Sequence, residues 1–396
     1  MDKPADGADF QDNPSGTPRM EMGGQALIEG VLMRSRTGYA AAVRRDDGQI
    51  VVRQVPYHTL AERIRLFKLP VIRGAVALIE MMAIGTRTLR WSADLFERAL
   101  KRKEAREKGE AEGEGPEDHS TSALPSSVKD AFGQAGFLSM LAISLTIVIL
   151  MMVVAPNFLT LLVGKLPFLA EWADAQGTLG FTEENHPILF NLIAGVFRAV
   201  ILVIYMIAIS LNPDIRRVFE YHGGEHKAVL ALESGRPLSV ENAQRHDTLH
   251  PRCGTTFIAV VVLVSIIVFA LVAALLVAYL PGYPEWHWTA RKGLTLALHV
   301  LALPLVAGLA FETMKLCARN SRFWLCRALL WPGFRFQRIT TRPPDDSQVE
   351  VALVALLAAL AISPDQSGPT ERVVQGLHQM DGAPNPADEL PRVRTA

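Results

Sequence analysis

The sequence predicts a multi-pass α-helical membrane protein with about four transmembrane helices and a small cytoplasmic α+β domain formed from N- and C-terminal segments. The first observation is that 49% of the 396 residues are hydrophobic and that these concentrate in long runs. The second is that lysine and arginine flank the runs unevenly, and the third is that strand-like segments lie near both ends of the chain. One buried helix of a soluble protein could mimic such a run, but four of them indicate a bilayer.

Each of four apolar runs is long enough to cross a bilayer, which needs about 20 apolar residues. The runs are residues 137–163, 188–211, 257–280 and 294–314. Pro156 predicts a kink in the first run. Arg198 and Glu312 lie inside the second and fourth runs. Because ionisable groups inside a membrane usually face protein or water, we expect these two to pair; the alternative is that Arg198 binds an anionic headgroup or substrate.

The distribution of basic residues predicts the orientation of these helices, because lysine and arginine accumulate on the cytoplasmic side. Basic residues are dense before the first run, whereas the loop after it holds Lys165 among several acidic residues. They are dense again in the loop at residues 212–256 and after the fourth run. We therefore expect both termini and the 212–256 loop to be cytoplasmic.

Strand and helix patterns outside the runs predict the cytoplasmic domain. Residues 40–45 and 50–55 flank an Asp- and Gly-rich turn and predict a β-hairpin, to which residues 23–34 could add a strand. Residues 69–89 predict an amphipathic helix, and residues 323–336 an interfacial helix that ends at Pro332-Gly333. We expect a further strand at residues 336–341. A 14-residue apolar helix at 349–362 is too short to span and should pack on the sheet.

These patterns divide the chain into six segments. Three of them are expected to be disordered, because they lack apolar periodicity: the tails 1–19 and 363–396 and the charged linker 101–127. The others are a β-hairpin region with an amphipathic helix at 20–100, a four-helix membrane domain at 128–318, and an interfacial helix with an α+β segment at 319–362. The formal net charge of zero gives no electrostatic case for nucleic acid as a partner.

The loop at 212–256 carries the residues that most resemble a chemical site. His222, Glu225 and His226 form the pattern H-x-x-E-H within a segment, 221–234, that is predicted to be helical. Residues four apart share one face of a helix, so both imidazoles could reach a single metal ion. In the inverted zincin arrangement, the glutamate of such a motif is the general base.

Two further ligand types, His250 and Cys253, precede the third run. Together with His222 and His226 they would complete a tetrahedral zinc site, which is typical of a structural metal. A catalytic site keeps one position open for water, so the sequence leaves both arrangements open. The alternative is a polar loop in which histidine and arginine lie near lipid headgroups.

The chain resembles the YqhQ-like family of bacterial membrane proteins, a domain of unknown function whose members are described as predicted metal-dependent enzymes. The resemblance covers residues 22–98 and 128–362 and is carried by residues 23–34, 73–74, 221–227, 241–242, 249–255, 337–343 and 350–352. It implies a multi-pass protein of the bacterial inner membrane with a cytoplasmic His/Glu/Cys loop. His246 lies outside the family pattern, which lowers its standing as a ligand.

Three functions follow as hypotheses. The first is a metal-dependent membrane hydrolase that binds a divalent metal, zinc by its ligand types, at the cytoplasmic face and acts on a membrane-protein or lipid-linked substrate. The second is a non-enzymatic scaffold or assembly factor with a structural metal. The third is a transporter, suggested by Arg198 and Glu312. The bilayer is the expected partner, and a homo-oligomer is compatible with the sequence.

Overall fold

The structure is a computed structural model in which a small antiparallel sheet is joined to a set of long apolar helices. It describes residues 22–60, 64–107, 139, 142–144, 146–147, 149–177, 180–183, 185–320, 323–363, 365–366 and 368–380. The sheet has the order β1-β2-β3-β4-β5, with strands β1 Gly23–Leu27, β2 Gly30–Arg34, β3 Gly38–Arg44, β4 Ile50–Pro56 and β5 Thr370–Val374.

The predicted hairpin is confirmed as β3 and β4, which pair antiparallel with Val43 opposite Val51. Residues 23–34 form two strands, β1 and β2, where the sequence suggested one. The chain reverses between them at Glu29, whose φ of 54° lies in the left-handed region that asparagine and glycine favour. The side chain of Glu29 accepts hydrogen bonds from Arg217.

Strand β5 corrects the prediction that residues 363–396 are a disordered tail. It pairs antiparallel with β4, with Val374 opposite Ile50, and a turn of 3-10 helix follows at Leu377–Met380. The strand has only five residues and carries charges, so its own pattern is weak; β4 supplies the partner that orders it. Residues 1–19 and 381–396 lie outside the described residues.

Two neighbouring valines of β5 allow a test of this edge. Val374 is 5% exposed and packs in the core, whereas Val373 is 49% exposed. We expect Val374→Asp to lower the free energy of unfolding by about 3 kcal/mol or more, because a carboxylate would enter an apolar core. The control Val373→Asp should change it by about 0.5 kcal/mol or less. Thermal unfolding of the purified protein measures both, and equal losses would mean that β5 does not pack as described.

Helices cover both faces of the sheet. Helix α1, Ile72–Glu107, packs through Ile84 against one face. Helices α5, Pro213–Glu233, and α10, Asp346–Leu360, pack against the other. The position of α10 confirms the predicted short apolar helix, and Asp345 caps its N-terminus in a capping box with Gln348.

Helix α1 is longer than the amphipathic helix predicted at residues 69–89. Its last turns, residues 101–107, are helical and correct the start of the predicted disordered linker. The rest of that linker, residues 108–127, lies outside the described residues. The Lys, Arg and Glu residues at 101–107 have high helix propensity. This propensity extends a helix that packing has already nucleated.

Helix α9, Trp324–Thr340, contradicts two predictions. It lies where a strand was expected at residues 336–341, and it continues through Pro332-Gly333, where the interfacial helix was expected to end. A proline inside a helix costs about 3 kcal/mol, which burial of one helix face can offset. Leu330, Gly333 and Gln337 are spaced three or four apart and are buried. Gly333 contacts Thr256 so closely that a Cβ atom there would lie 2.6 Å from its methyl group.

Three described helices are long and apolar enough to cross a membrane: α4, Pro187–Ile209; α7, Gly254–Tyr279; and α8, Trp288–Arg319. A π-helical turn, Leu150–Val154, leads into α2, Ala155–Gly164, and a 78° bend separates this segment from α3, Pro167–Ala175. Counting the bent pair as one span gives up to four. A short helix, α6, Val240–Gln244, lies in the loop that precedes α7.

The expected pairing of Arg198 with Glu312 is wrong. Glu312 accepts two hydrogen bonds from Arg73 of α1, at 2.5 and 2.6 Å. Arg198 donates to the backbone carbonyl of Met152 at 3.2 Å. Pro156, four residues further along, has no N–H to offer that carbonyl, so Arg198 supplies a donor to it. Each charge therefore has a separate partner, and both partners lie far away in the sequence.

Candidate metal centre

Helix α5 positions the H-x-x-E-H motif. It begins earlier than the sequence predicts, because the side chain of Asn212 caps it and accepts a hydrogen bond from the backbone N–H of Asp214 at 2.8 Å. His222 and His226 lie one turn apart on the same face, and their ring centroids are 4.7 Å apart. The predicted helical spacing of the two imidazoles is confirmed.

The two glycines inside the motif permit another part of the chain to approach the helix. A Cβ atom on Gly223 would lie 2.0 Å from the carbonyl oxygen of Arg342, and the backbone N–H of Arg342 donates to the carbonyl of Phe219 at 2.9 Å. A Cβ atom on Gly224 would lie 3.4 Å from its nearest neighbour, the carbonyl oxygen of Gln348. Gly223 is therefore required by backbone packing, whereas Gly224 is less constrained.

This difference predicts opposite outcomes for two alanine substitutions. We expect Gly223→Ala to destabilise the fold by about 2 kcal/mol or more, because the methyl group overlaps a backbone atom that cannot rotate away. Gly224→Ala should be nearly neutral or stabilising, because alanine is better in a helix by about 1 kcal/mol. Thermal unfolding of the two variants beside the unaltered protein provides the comparison. A Gly223→Ala protein as stable as Gly224→Ala would contradict this packing.

Three of the four predicted metal ligands come together. His222 and His226 each offer one ring nitrogen, and Cys253 offers its sulfur. These three atoms lie within 4.8 Å of one another. Nε2 of His222 is 3.3 Å from Sγ of Cys253. With Zn–N bonds of about 2.0–2.1 Å and a Zn–S bond of about 2.3 Å, tetrahedral N and S ligands are about 3.5 Å apart. The spacing of this pair is therefore close to what a zinc ion requires.

Backbone carbonyls orient both imidazoles of this group. Nδ1 of His222 donates to the carbonyl of Thr340 at 2.9 Å, and Nδ1 of His226 donates to the carbonyl of Thr248. A carbonyl oxygen only accepts, so each Nδ1 carries a proton. Nε2 of each ring is then the nitrogen that a metal could bind in place of a proton. Metal-binding histidines usually have such a partner, which sets the tautomer and the ring orientation.

Cys253 is placed at the N-terminus of α7, where its Sγ accepts a hydrogen bond from the backbone N–H of Thr255 at 3.3 Å. Burial raises the pKa of the Cys253 thiol, but contacts with His222 and His226 outweigh burial and hold that pKa well below its usual value. Burial lowers the pKa of His222, but its hydrogen bond to Cys253 and the nearby charges of Cys253 and Glu225 together outweigh burial and raise the pKa to about 9. The sulfur is thus held as a thiolate, the form that binds metals.

Glu225 lies beside this group without belonging to it. Its side chain is buried, and Oε2 is 4.0 Å from Nε2 of His222. Among the described residues, Oε2 has no hydrogen-bond partner. Burial raises the pKa of Glu225, and the nearby charges of His222 and His226 lower it in part. An oriented carboxyl group with one free oxygen can accept a proton from a molecule bound next to the histidines.

His250 was predicted as a fourth ligand, but it does not join the three-residue group. Its Nδ1 accepts a hydrogen bond from the backbone N–H of Arg252 at 3.3 Å, and its Nε2 is 3.6 Å from Oε2 of Glu233. The side chain of Gln337 bonds both the N–H and the carbonyl of His250. The sequence analysis missed Gln337, because it assigned residues 336–341 to a strand. A helical pattern continued through these residues would have placed Gln337 on the buried face of the helix.

A cavity of about 230 Å³ is lined by His222, His226 and Cys253. One end is formed by the histidines, Cys253 and Glu225, and strand β1 borders it at Gly23 and Gly24. The apolar part of the lining comes from α1, α7 and α8; it comprises Ala77, Leu78, Met81, Phe257, Phe311 and Met314. Sequence patterns gave no sign that α1 would line the site, because its residues are distant from the motif along the chain.

The family of the chain follows from comparison with known proteins. The chain belongs to the family described as "Protein of unknown function (DUF1385)", whose model matches residues 69–362, a range that includes His222, Glu225, His226 and Cys253. It is 30% identical over 355 residues to a protein of Bacillus subtilis (strain 168) described as "Uncharacterized protein YqhQ". The alignment covers 89% of this chain and 97% of that protein. The expected YqhQ-like family is confirmed, and no solved structure matches the chain.

Proposed function

We propose that this protein is a zinc-dependent membrane hydrolase with its centre at His222, His226 and Cys253 and with Glu225 as general base. The main support is that the two imidazoles and the thiol of this group have donor atoms within 4.8 Å of one another. These side chains line a cavity together with the buried carboxyl group of Glu225. Three protein ligands and one open position are typical of catalytic zinc, whereas four protein ligands are typical of structural zinc.

Zinc would supply Lewis-acid activation of water and of the substrate carbonyl. Hydrolysis forms a bond between the water oxygen and the carbonyl carbon and breaks the bond to the leaving nitrogen or oxygen. Glu225 accepts the proton that water gives up and passes it to the leaving group, so no proton is lost or gained overall. The apolar wall positions the substrate and excludes bulk water from the carboxyl group.

We place the centre at the cytoplasmic face of a bacterial inner membrane. Three apolar helices, or four if the bent pair is one span, support insertion in a bilayer. The basic residues before residue 130, within 212–256 and after 318 support a cytoplasmic location for the sheet, the centre and both termini. The cytoplasm is reducing, which keeps Cys253 available as a metal ligand.

A metal-independent thiol hydrolase is a second candidate, and the contact between Cys253 and His222 favours it. A thiolate beside a histidine at a helix N-terminus is an activated nucleophile. The zinc assignment accounts for more of the site, because it also uses His226 and the two Nδ1 hydrogen bonds.

The scaffold and transporter hypotheses receive less support. A structural zinc would need a fourth protein ligand, and His250 lies outside the group of three. Transport was suggested by two charges, Arg198 and Glu312, which have separate partners.

Elemental analysis of protein purified without chelators tests the assignment. We expect about one zinc ion per chain and hydrolytic activity that a chelator removes and added zinc restores. Full activity of metal-free protein would overturn the zinc assignment and favour the thiol hydrolase. Bound zinc without any hydrolysis of peptide, ester or lipid panels would favour the scaffold.

A further inference from the structure

The two edges of the sheet differ in how they are protected. An edge strand presents unpaired backbone N–H and C=O groups, and proteins usually shield such an edge with charges, proline or bulges. Strand β5 has the sequence Thr-Glu-Arg-Val-Val and so carries two charged residues. Strand β1 has the sequence Gly-Gly-Gln-Ala-Leu and carries neither charge nor proline. In the described part of the sheet, β1 pairs only with β2.

This unshielded edge lies directly beside the candidate metal centre. Glu225 approaches β1 so closely that a Cβ atom on Gly24 would lie 2.8 Å from its carboxyl carbon. Gly23, one residue earlier, is exposed. Both glycines line the cavity. The strand edge, the carboxyl group and the open space therefore meet at one place.

We propose that β1 binds an extended polypeptide by strand addition and presents one of its peptide bonds to the centre, an inference that rests on the proposed hydrolase function. An added strand would run about 4.7–4.9 Å from β1. Glu225, which touches Gly24, is thus within reach of the backbone of that strand. Strand addition uses backbone hydrogen bonds for affinity and side-chain pockets for specificity.

The cavity defines which side chain the polypeptide carries next to the scissile bond. Its wall includes Leu78, Phe257 and Phe311, and its volume is about 230 Å³. An apolar cavity of about 150 Å³ holds benzene, so this one accommodates a leucine or phenylalanine side chain. The backbone groups on the outer side of β1, which no other described strand pairs, favour a peptide over a lipid, because an acyl chain has no donors or acceptors to pair with them. The substrate class is therefore an extended segment of a protein with a large apolar residue.

Binding of synthetic peptides to zinc-loaded Glu225→Gln protein in nanodiscs tests this inference, since the substitution prevents turnover. The probes are extended peptides with phenylalanine or, as a control, aspartate at one fixed position. We expect the phenylalanine peptide to bind at least about tenfold more tightly. N-methylation at every second backbone nitrogen should weaken binding about tenfold, and methylation at the alternate nitrogens should not, because a strand bonds one neighbour through alternate residues. If methylation of either set of nitrogens weakens binding equally, strand addition is overturned.

Adjacent residues of α1 provide a matched pair for the cavity. Leu78 lines the cavity, whereas Ile79 is 66% exposed. We expect Leu78→Trp to fill the space and weaken peptide binding about tenfold or more, with Ile79→Trp unchanged. Equal zinc content in both variants shows that the centre is intact. If the protein binds a fluorescent fatty acid and none of the peptides, the inference is overturned and the hydrolase proposal still stands. Loss of zinc binding by the unaltered protein would instead overturn the proposed function.

Discussion

The Cys253→Ala protein is expected to bind zinc at least about 100-fold more weakly than the unaltered protein. Removing a residue that only orients a ligand typically costs about 10–100-fold in metal affinity, and removing the ligand itself should cost more. The sulfur lies 3.3 Å from Nε2 of His222, so its loss leaves two imidazoles and no thiolate. His222→Ala and His226→Ala should have losses of similar size, because each supplies one ligand atom to the same group. Competition with a zinc-binding dye measures the affinities.

Two controls make this result specific. His246→Ala should keep its zinc, because His246 lies in the same loop but outside the group of three. Cys326→Ala should also keep it, because Cys326 is buried between α8 and α9, in a core separate from the centre. Unchanged zinc affinity in both Cys253→Ala and His222→Ala would remove the metal centre from the proposal.

The Glu225→Gln protein is expected to retain zinc and lose hydrolytic activity by about 10²–10⁴-fold, the usual contribution of a general base. Glutamine has nearly the same shape as glutamate, so the close contact with Gly24 persists. Burial raises the pKa of this carboxyl, so a neutral amide at this position should cost the folded state little stability. Initial rates of peptide hydrolysis, with zinc content determined on the same samples, separate catalysis from metal binding.

Glu241→Gln is the matched control for this substitution. Glu241 is exposed and pairs with Arg245 on the short helix of the same loop. Its replacement should leave the rate within about twofold of the unaltered protein. A Glu225→Gln protein that keeps both its zinc and its full rate would show that Glu225 is no general base.

Segments whose structure depends on neighbouring residues were predicted well. The β3–β4 hairpin follows from alternating apolar residues around an Asp-Gly turn, and α10 follows from its apolar composition and its capping residues. The three described long helices follow from apolar runs. His222 and His226 share a face because a helix places residues four apart together.

Predictions that depended on distant partners failed. Strand β5 is ordered by β4, and α9 continues through Pro332 because its buried face packs against α7. The charges Arg198 and Glu312 were expected to pair because both lie in apolar runs. Glu312 instead meets Arg73 on a helix outside those runs. Such contacts join residues that are far apart along the chain, and no local pattern encodes them.

The sequence by itself determined that this chain has long apolar helices, a hairpin and a helical His-Glu-His motif, because periodicity and composition express local preferences. Only the tertiary structure decided that Cys253 joins the two histidines while His250 stays outside their group. It also decided that strand β1 and apolar residues of α1 line the same cavity. The physical reason is that a metal centre depends on distances between side chains, and packing of distant segments sets those distances.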